Sequence, residues 1–168
     1  MKRYPNEAVQ RAWARLVRAQ QGAVTSIEQA LSKAKLPPLA WYDALLELER
    51  AGGSLRPFEL EREMLVAQYN LSRLIDRLQK AGYVERRAYA DDRRGQVIAI
   101  TRAGKAIRRR TWSVYGPAIQ AAVGEHLSAK QIETLTTLLG AIAPTAHFPL
   151  FHRTKSHVRG TPRTQRCR

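Results

Sequence analysis

One predicted helix gathers side chains that suit the reading of nucleic-acid bases. Its apolar residues recur at helical spacing: Leu71, Leu74, Ile75 and Leu78. Positions i, i+3, i+4 and i+7 share one face of an α-helix, so they predict a buried stripe. Polar residues crowd its N-terminal end: Gln68, Tyr69, Asn70, Ser72 and Arg73. Arginine can donate two bonds to guanine and an amide can pair with adenine, so this end suits a major groove. The alternative is an ordinary solvated helix surface.

A predicted β-hairpin follows this helix and carries more cations. Val84 to Tyr89 and Gln96 to Thr101 have the character of short strands, and they flank the polar loop A-D-D-R-R-G. Arg93 and Arg94 lie in this loop, where they suit a narrow minor groove whose negative potential attracts arginine. The alternative is a charged turn that serves only solubility.

Neighbouring charged residues receive supporting roles. Asp92 is expected to hold the geometry of the loop arginines, and Arg86 and Arg87 on the first strand are expected to contact phosphates. Asp76 and Arg77 are expected to brace each other or the backbone, because an unpaired carboxylate near phosphate is repelled.

These segments together resemble a known family. The run L-S-R-L-I-D-R-L-Q-K-A-G-Y-V-E-R-R, then D-D-R-R-G, then I-A-I-T-R-A-G-K is similar to the MarR family of bacterial transcription regulators, with the strong match from about Leu36 to Lys105. The resemblance implies a winged helix-turn-helix, mostly α with a small β-hairpin wing. It also implies a homodimer that binds double-stranded DNA at a pseudo-palindromic operator, most often as a repressor. The family's Asp-x-Arg arrangement falls on Asp92-Arg93-Arg94, which favours Arg94 as the group inserted in the minor groove.

The flanking segments predict a single domain over residues 1–146. The winged helix-turn-helix spans about 37–101, with its third helix starting at Pro57, and the dimerisation helices span about 6–34 and 102–143. Gly116-Pro117 is expected to kink or interrupt the second of these helices, since proline removes an interior hydrogen bond. Residues 147–168 carry six basic residues and no acidic ones, and they predict a flexible basic tail.

The resemblance also implies a small-molecule effector. In the family, ligands lodge between the dimerisation helices and the winged-helix lobe, and an N-terminal tryptophan with a W-Y-D segment is similar to the urate-responsive branch. The corresponding residues are Trp13, Trp41, Tyr42 and Asp43. They suit a small aromatic or purine-like anion, although that branch's ligand arginines have no counterpart here in register. The alternative is that these residues are ordinary core.

Composition agrees with a polyanionic partner. The 168 residues include 29 Lys and Arg against 14 Asp and Glu, for a formal charge of +15, and residues 66–110 hold 12 basic against 4 acidic residues. An architectural nucleic-acid binder without an effector is the alternative function.

Other classes of protein find no support in the sequence. It contains no nucleotide-binding loop, zinc-protease motif or serine-hydrolase motif, so we predict no enzyme, no cofactor and no metal site. One cysteine, Cys167, allows no intramolecular disulfide. The chain shows no signal peptide or membrane-spanning run, so we expect a cytoplasmic protein without a membrane partner.

Overall fold

Helices dominate the chain, and three short strands form its sheet. The computed structural model describes residues 4–64, 70–89 and 92–142, with the backbone alone described at 89 and 92–95. The helices are α1 (Glu7–Lys33), α2 (Leu39–Arg50), α3 (Pro57–Glu63), α4 (Leu71–Lys80), α5 (Arg102–Ala122) and α6 (Ala129–Ile142). The strands are β1 (Ser54–Leu55), β2 (Val84–Tyr89) and β3 (Asp92–Ile100). Gln68, Tyr69 and the predicted tail lie outside the described residues.

Side chains at the helix starts explain where the helices begin. The Asn6 carboxamide oxygen accepts from the Val9 amide at 3.0 Å, and the Thr101 hydroxyl accepts from the Gly104 amide at 3.0 Å. Before α6, Ser128 and Gln131 form the reciprocal bonds of a capping box, at 2.8 and 3.4 Å. At the other end of α4, Gly82 has φ of 74°, a left-handed turn that suits glycine. Each of these helix ends therefore has a local cause in a side-chain cap or a glycine turn.

The sheet differs from the predicted hairpin in two respects. Its order is β1-β3-β2, so the two-residue strand β1 adds an edge that the sequence did not predict. The strand β3 begins at Asp92 rather than Gln96, so the predicted loop A-D-D-R-R-G is mostly strand. Ala88 pairs with Gln96 but Tyr89 pairs with Asp92, so residues 93–95 bulge from the ladder. A bulge carries extra residues without ending the strand, which explains why this turn-like sequence continues β3.

Two apolar clusters hold the elements together, and α2 contributes to both. The first joins α2, α3, α4 and the sheet: Leu45, Leu48, Leu60, Leu74, Leu78, Val84 and Ile98. The second joins α1, α2 and α5: Ile27, Leu31, Leu39, Tyr42 and Tyr115. Each fully buried aliphatic side chain contributes about 1.5–3 kcal/mol to the free energy of unfolding. The helix α2 therefore fixes the winged-helix lobe against the long helices.

The base of the wing is fixed to α5 by close backbone packing. The Thr101 amide donates to the Tyr83 carbonyl at 3.0 Å, and the Thr101 hydroxyl donates to the Gly82 carbonyl at 2.7 Å. A Cβ atom at Gly104 would lie 2.1 Å from the Tyr83 carbonyl oxygen, so only glycine permits this approach. The start of β2 and the end of β3 are consequently held against the start of α5.

Pro117 lies inside a continuous helix α5, and the interruption that the sequence suggested does not occur. The helix runs through Pro117 from Arg102 to Ala122. An interior proline costs about 3 kcal/mol, and the packing of Tyr115, Ala118 and Ile119 against the second cluster offsets that cost. Tertiary contacts on both sides of the proline thus keep the segment helical.

Among the described residues, α6 and the first half of α1 leave the most large apolar side chains uncovered. Every residue of α6 is exposed, including Leu138 at 62% and Ile142 at 65%. On the first half of α1, Trp13 is 67% exposed. Among the described residues, no helix is long and apolar enough to cross a membrane.

Candidate nucleic-acid interface

The helix α4 separates cleanly into a buried stripe and a polar face. Leu71, Leu74, Ile75 and Leu78 are buried in the first cluster, as predicted. The remaining six residues of α4 are exposed: Ser72, Arg73, Asp76, Arg77, Gln79 and Lys80. Three of these are cations and one is an anion. The exposed face of α4 therefore has the net positive charge that a phosphate backbone attracts.

Asn70 caps the N-terminus of α4. The helix begins at Leu71, and the Asn70 Oδ1 atom accepts from the Arg73 amide at 3.0 Å as its N-cap. A bidentate pair with adenine needs both the oxygen and the nitrogen of the amide. In the cap the Asn70 oxygen is engaged by the Arg73 amide, and the pairing of Asn70 with adenine stays a prediction. Arg73 lies in the first turn, with an exposed side chain.

Arg86 and Arg87 of β2 are already engaged within the chain. The Arg86 guanidinium donates to the Asp76 Oδ1 atom at 2.6 Å and to the Gln79 Oε1 atom at 2.8 Å. The Arg87 Nε atom donates to the Glu85 Oε1 atom at 2.7 Å. Asp76 thus pairs with Arg86 and not, as expected from the sequence, with Arg77. For Arg86 and Arg87 to contact phosphates, as predicted, they would have to leave or share these partners.

The predicted roles of Asp92, Arg93 and Arg94 in DNA binding stay predictions, because only the backbone of these residues is described. The backbone of Asp92, Arg93 and Arg94 belongs to β3 at the far end of the hairpin from Thr101. The described side chains of β2 after Val84, residues 85–88, are exposed, as is Gln96 of β3.

An aromatic cluster joins α2 to α5 behind the winged helix. Tyr42 stacks on Trp112 with ring centroids 6.1 Å apart, and it meets Tyr115 edge to face at 5.0 Å. Arg108, one turn before Trp112, forms an ion pair with Glu49 of α2. Burial raises the pKa of the Tyr42 hydroxyl, and the nearby Arg108 opposes that rise. Burial also raises the pKa of the Tyr115 hydroxyl, and the nearby Tyr42 and Asp43 raise this pKa further through charge repulsion.

Of the residues in the predicted effector site, this aromatic cluster contains Tyr42 but not Trp41 or Trp13. Trp41 turns to the first cluster, where it meets Tyr83 at 5.9 Å, whereas Tyr42 belongs to the second. Asp43 is buried. Trp13 is exposed, and it takes part in none of the aromatic contacts recorded for the described residues, so one chain does not bring it to the W-Y-D segment. Sequence reasoning missed Trp112 and Tyr115, although their i, i+3 spacing on α5 indicates a shared face.

Metal-binding side chains do not converge in the part of the chain that the structure describes. No group of three or more His, Cys, Asp or Glu residues there is placed to hold an ion.

Comparison with known proteins gives consistent matches. A model of the MarR family matches residues 36–95. The multiple antibiotic resistance protein MarR of Escherichia coli K12 is 30% identical over 95 residues, which cover 56% of this chain and 66% of the relative. The corresponding protein of Salmonella typhimurium is 32% identical over 95 residues, which again cover 56% of this chain and 66% of the relative. The chain therefore aligns with just under two thirds of these curated relatives.

Solved structures match over more of the chain. A MarR family transcriptional regulator from Streptomyces coelicolor, solved in complex with DNA, superposes with a TM-score of 0.77 and 25% identity over 84% of this chain and 89% of that one. A cysteine-to-serine mutant of E. coli MarR, solved with operator DNA, superposes with a TM-score of 0.68 and 28% sequence identity. The superposition covers 78% of this chain and 93% of that one.

The described elements define a class of protein. A short helix α3, a half-exposed basic helix α4 and a wing of β2 and β3 on a three-stranded sheet make a winged helix-turn-helix. Long helices, α1 and α5, flank it on both sides. The chain belongs to the MarR family.

Proposed function

We propose that this protein is a homodimeric, DNA-binding transcription regulator that acts as a ligand-responsive repressor at a pseudo-palindromic operator. The observation that carries the proposal is the exposed cationic face of α4 beside the wing, in a chain of the MarR family. Two relatives of this fold are described as DNA complexes. In this proposal α4 enters the major groove, and the end of the wing reaches the adjacent minor groove.

Each DNA-facing residue receives a role in the proposal. Arg73 reads guanine from the first turn of α4, with Ser72 beside it and Arg77 at a phosphate. Gln68, which can pair with adenine, and Tyr69, which suits a phosphate or a thymine methyl group, are proposed as further DNA contacts, and both lie outside the described residues. Arg94 enters the minor groove, with Asp92 and Arg93 supporting it.

Uncovered apolar surface supports the dimer. The exposed stripe of α6 includes Leu135, Leu138, Leu139 and Ile142. Contiguous exposed apolar surface of this kind marks an interaction site in a stable protein. A second copy of the chain, packed through α1, α5 and α6 about a two-fold axis, would cover it and place two α4 helices against one operator. We propose residues 6–34 and 102–143 as these dimerisation segments, within one domain of residues 1–146.

A competition experiment tests the proposal. The full-length protein should prefer DNA from upstream of its own gene to shuffled DNA of equal length by about 10³-fold or more, at physiological salt. Fluorescence anisotropy with unlabelled competitors measures this ratio. If both duplexes compete equally, the protein is a general nucleic-acid binder, since phosphate contacts alone do not distinguish sequences.

The effector site is proposed at the junction of α2 and α5. Aromatic side chains beside a cation suit an aromatic anion. Tyr42 stacks on Trp112, and Arg108, which is paired with Glu49, lies close to Tyr42. Trp41 and Asp43 lie on the same helix, and Trp13 would join the site only from a dimer partner or after α1 moves. A purine-like anion should quench tryptophan fluorescence and weaken operator binding, because an effector must bind the two states of the dimer with different affinities. A panel of such anions that leaves DNA affinity unchanged would contradict an effector site.

A further inference from the structure

One carboxylate lies on the helix face that is proposed to enter DNA. Asp76 is the single acid of α4, between Arg73 and Arg77, and its side chain is 61% exposed. A carboxylate close to phosphates weakens binding through charge repulsion. Its presence on this face therefore calls for an interaction that offsets the repulsion.

The partner of Asp76 lies on the wing. The two terminal nitrogens of Arg86 divide between α4 residues, with one 2.6 Å from the Asp76 carboxylate and the other 2.8 Å from the Gln79 amide oxygen. Asp76 and Gln79 are three residues apart, so they are neighbours on one helix face. Arg86 follows the buried Val84 by two residues, which places both on the same face of β2. The planar guanidinium thus bridges the first wing strand to the exposed face of α4.

Among the described residues, the recorded side-chain bonds of Arg87, the other arginine of β2, stay within its own strand. Arg87 pairs with Glu85, two residues away on the same strand. This pair has the same charges as Asp76 and Arg86, and both of its members are exposed, but it ties no two elements together. The chain therefore contains an internal comparison for the effect of a strand-to-helix link.

We propose that Arg86 is a positioning residue that fixes the wing relative to α4 through Asp76 and Gln79, and that it is not a phosphate contact. The proposal rests on the proposed function. The wing and α4 must meet neighbouring grooves at once, so a wing held at one angle lowers the cost of ordering both on the operator. Arginine suits the role because its rigid fork binds two acceptors, whereas lysine is a point charge.

The ratio of affinities for operator and shuffled DNA isolates this effect. Both duplexes carry the same phosphates, so a change in net charge alters both affinities alike and leaves the ratio unchanged. Replacing Asp76→Ala should lower the ratio about two- to fivefold, the size expected for one partly exposed ion pair. The matched control Glu85→Ala removes the same charge from β2 and should leave the ratio unchanged.

Two further variants complete the experiment. Arg86→Ala should lower the ratio as Asp76→Ala does, although the two substitutions change net charge in opposite directions. Exchanging the pair, as Asp76→Arg with Arg86→Asp, should restore the ratio relative to Arg86→Asp alone. Thermal unfolding of each variant establishes that the folded protein is compared.

Distinct outcomes would overturn the proposal. An unchanged ratio in Asp76→Ala, or equal ratios in Asp76→Ala and Glu85→Ala, would show that the bridge does not position the wing. Arg86→Ala that weakens both duplexes equally and reduces the salt slope by about one would identify a phosphate contact instead. A wild-type protein with no preference for its upstream DNA would reject the proposed function itself.

Discussion

Replacing Leu138→Glu on α6 should convert the dimer into monomers and weaken operator binding by about 10²-fold or more. Leu138 is 62% exposed in the single chain, and it shares a stripe with Leu135, Leu139 and Ile142. In a dimer this stripe is covered, and a carboxylate buried there without a partner costs several kcal/mol. The loss at DNA follows because two linked recognition helices bind with an avidity that one helix lacks.

A matched variant separates the interface from the helix. Thr137→Glu adds the same charge to α6 on the face opposite the stripe, where the Thr137 hydroxyl only donates to the Glu133 carbonyl oxygen. This control should remain dimeric. Sedimentation velocity at micromolar concentration measures both variants and the wild type. A dimeric Leu138→Glu would remove α6 from the interface, and a monomeric wild type would contradict the dimer.

Sequence periodicity predicted the elements that carry the site. The stripe from Leu71 to Leu78 predicted the buried face of α4, and the helix starts predicted near residues 6 and 102 agree with α1 and α5, which Asn6 and Thr101 cap. These features are local, because a helix face and a cap depend on residues within about four positions. The fold was therefore largely readable from the sequence.

The missed features depend on contacts that local patterns do not contain. Two residues of β1 are too few to show strand alternation, and its pairing with β3 joins residues far apart in the chain. The partner of Arg86 depends on how β2 crosses α4. The sequence indicates only that Arg86 shares a face of β2 with the apolar Val84, two residues before it. The N-cap at Asn70, by contrast, could have been predicted from the sequence, because asparagine is a favoured N-cap residue that accepts from the amide three residues later.

Arg73→Ala should cause the largest loss of any single exposed residue of α4. Arg73 lies in the first turn, where recognition helices approach base edges, and its side chain is exposed. Each lost contact to a guanine costs about 1–3 kcal/mol. A two-fold dimer loses the contact in both half-sites, so the operator affinity should fall by about 2–6 kcal/mol. Shuffled DNA, which offers no matched guanine, should lose far less.

Lys80→Ala provides the control for charge. Lys80 is an exposed cation in the last turn of the same helix, so its removal changes net charge equally without touching the base-reading end. It should weaken operator and shuffled DNA to the same small extent.

The measurement that tests the central claim most directly is the ratio of operator to shuffled-DNA affinity in the wild type, Arg73→Ala and Lys80→Ala. If α4 reads bases, Arg73→Ala lowers this ratio about tenfold or more, and Lys80→Ala leaves it at the wild-type value. If Arg73→Ala weakens both duplexes equally, α4 contributes charge alone and does not read the operator.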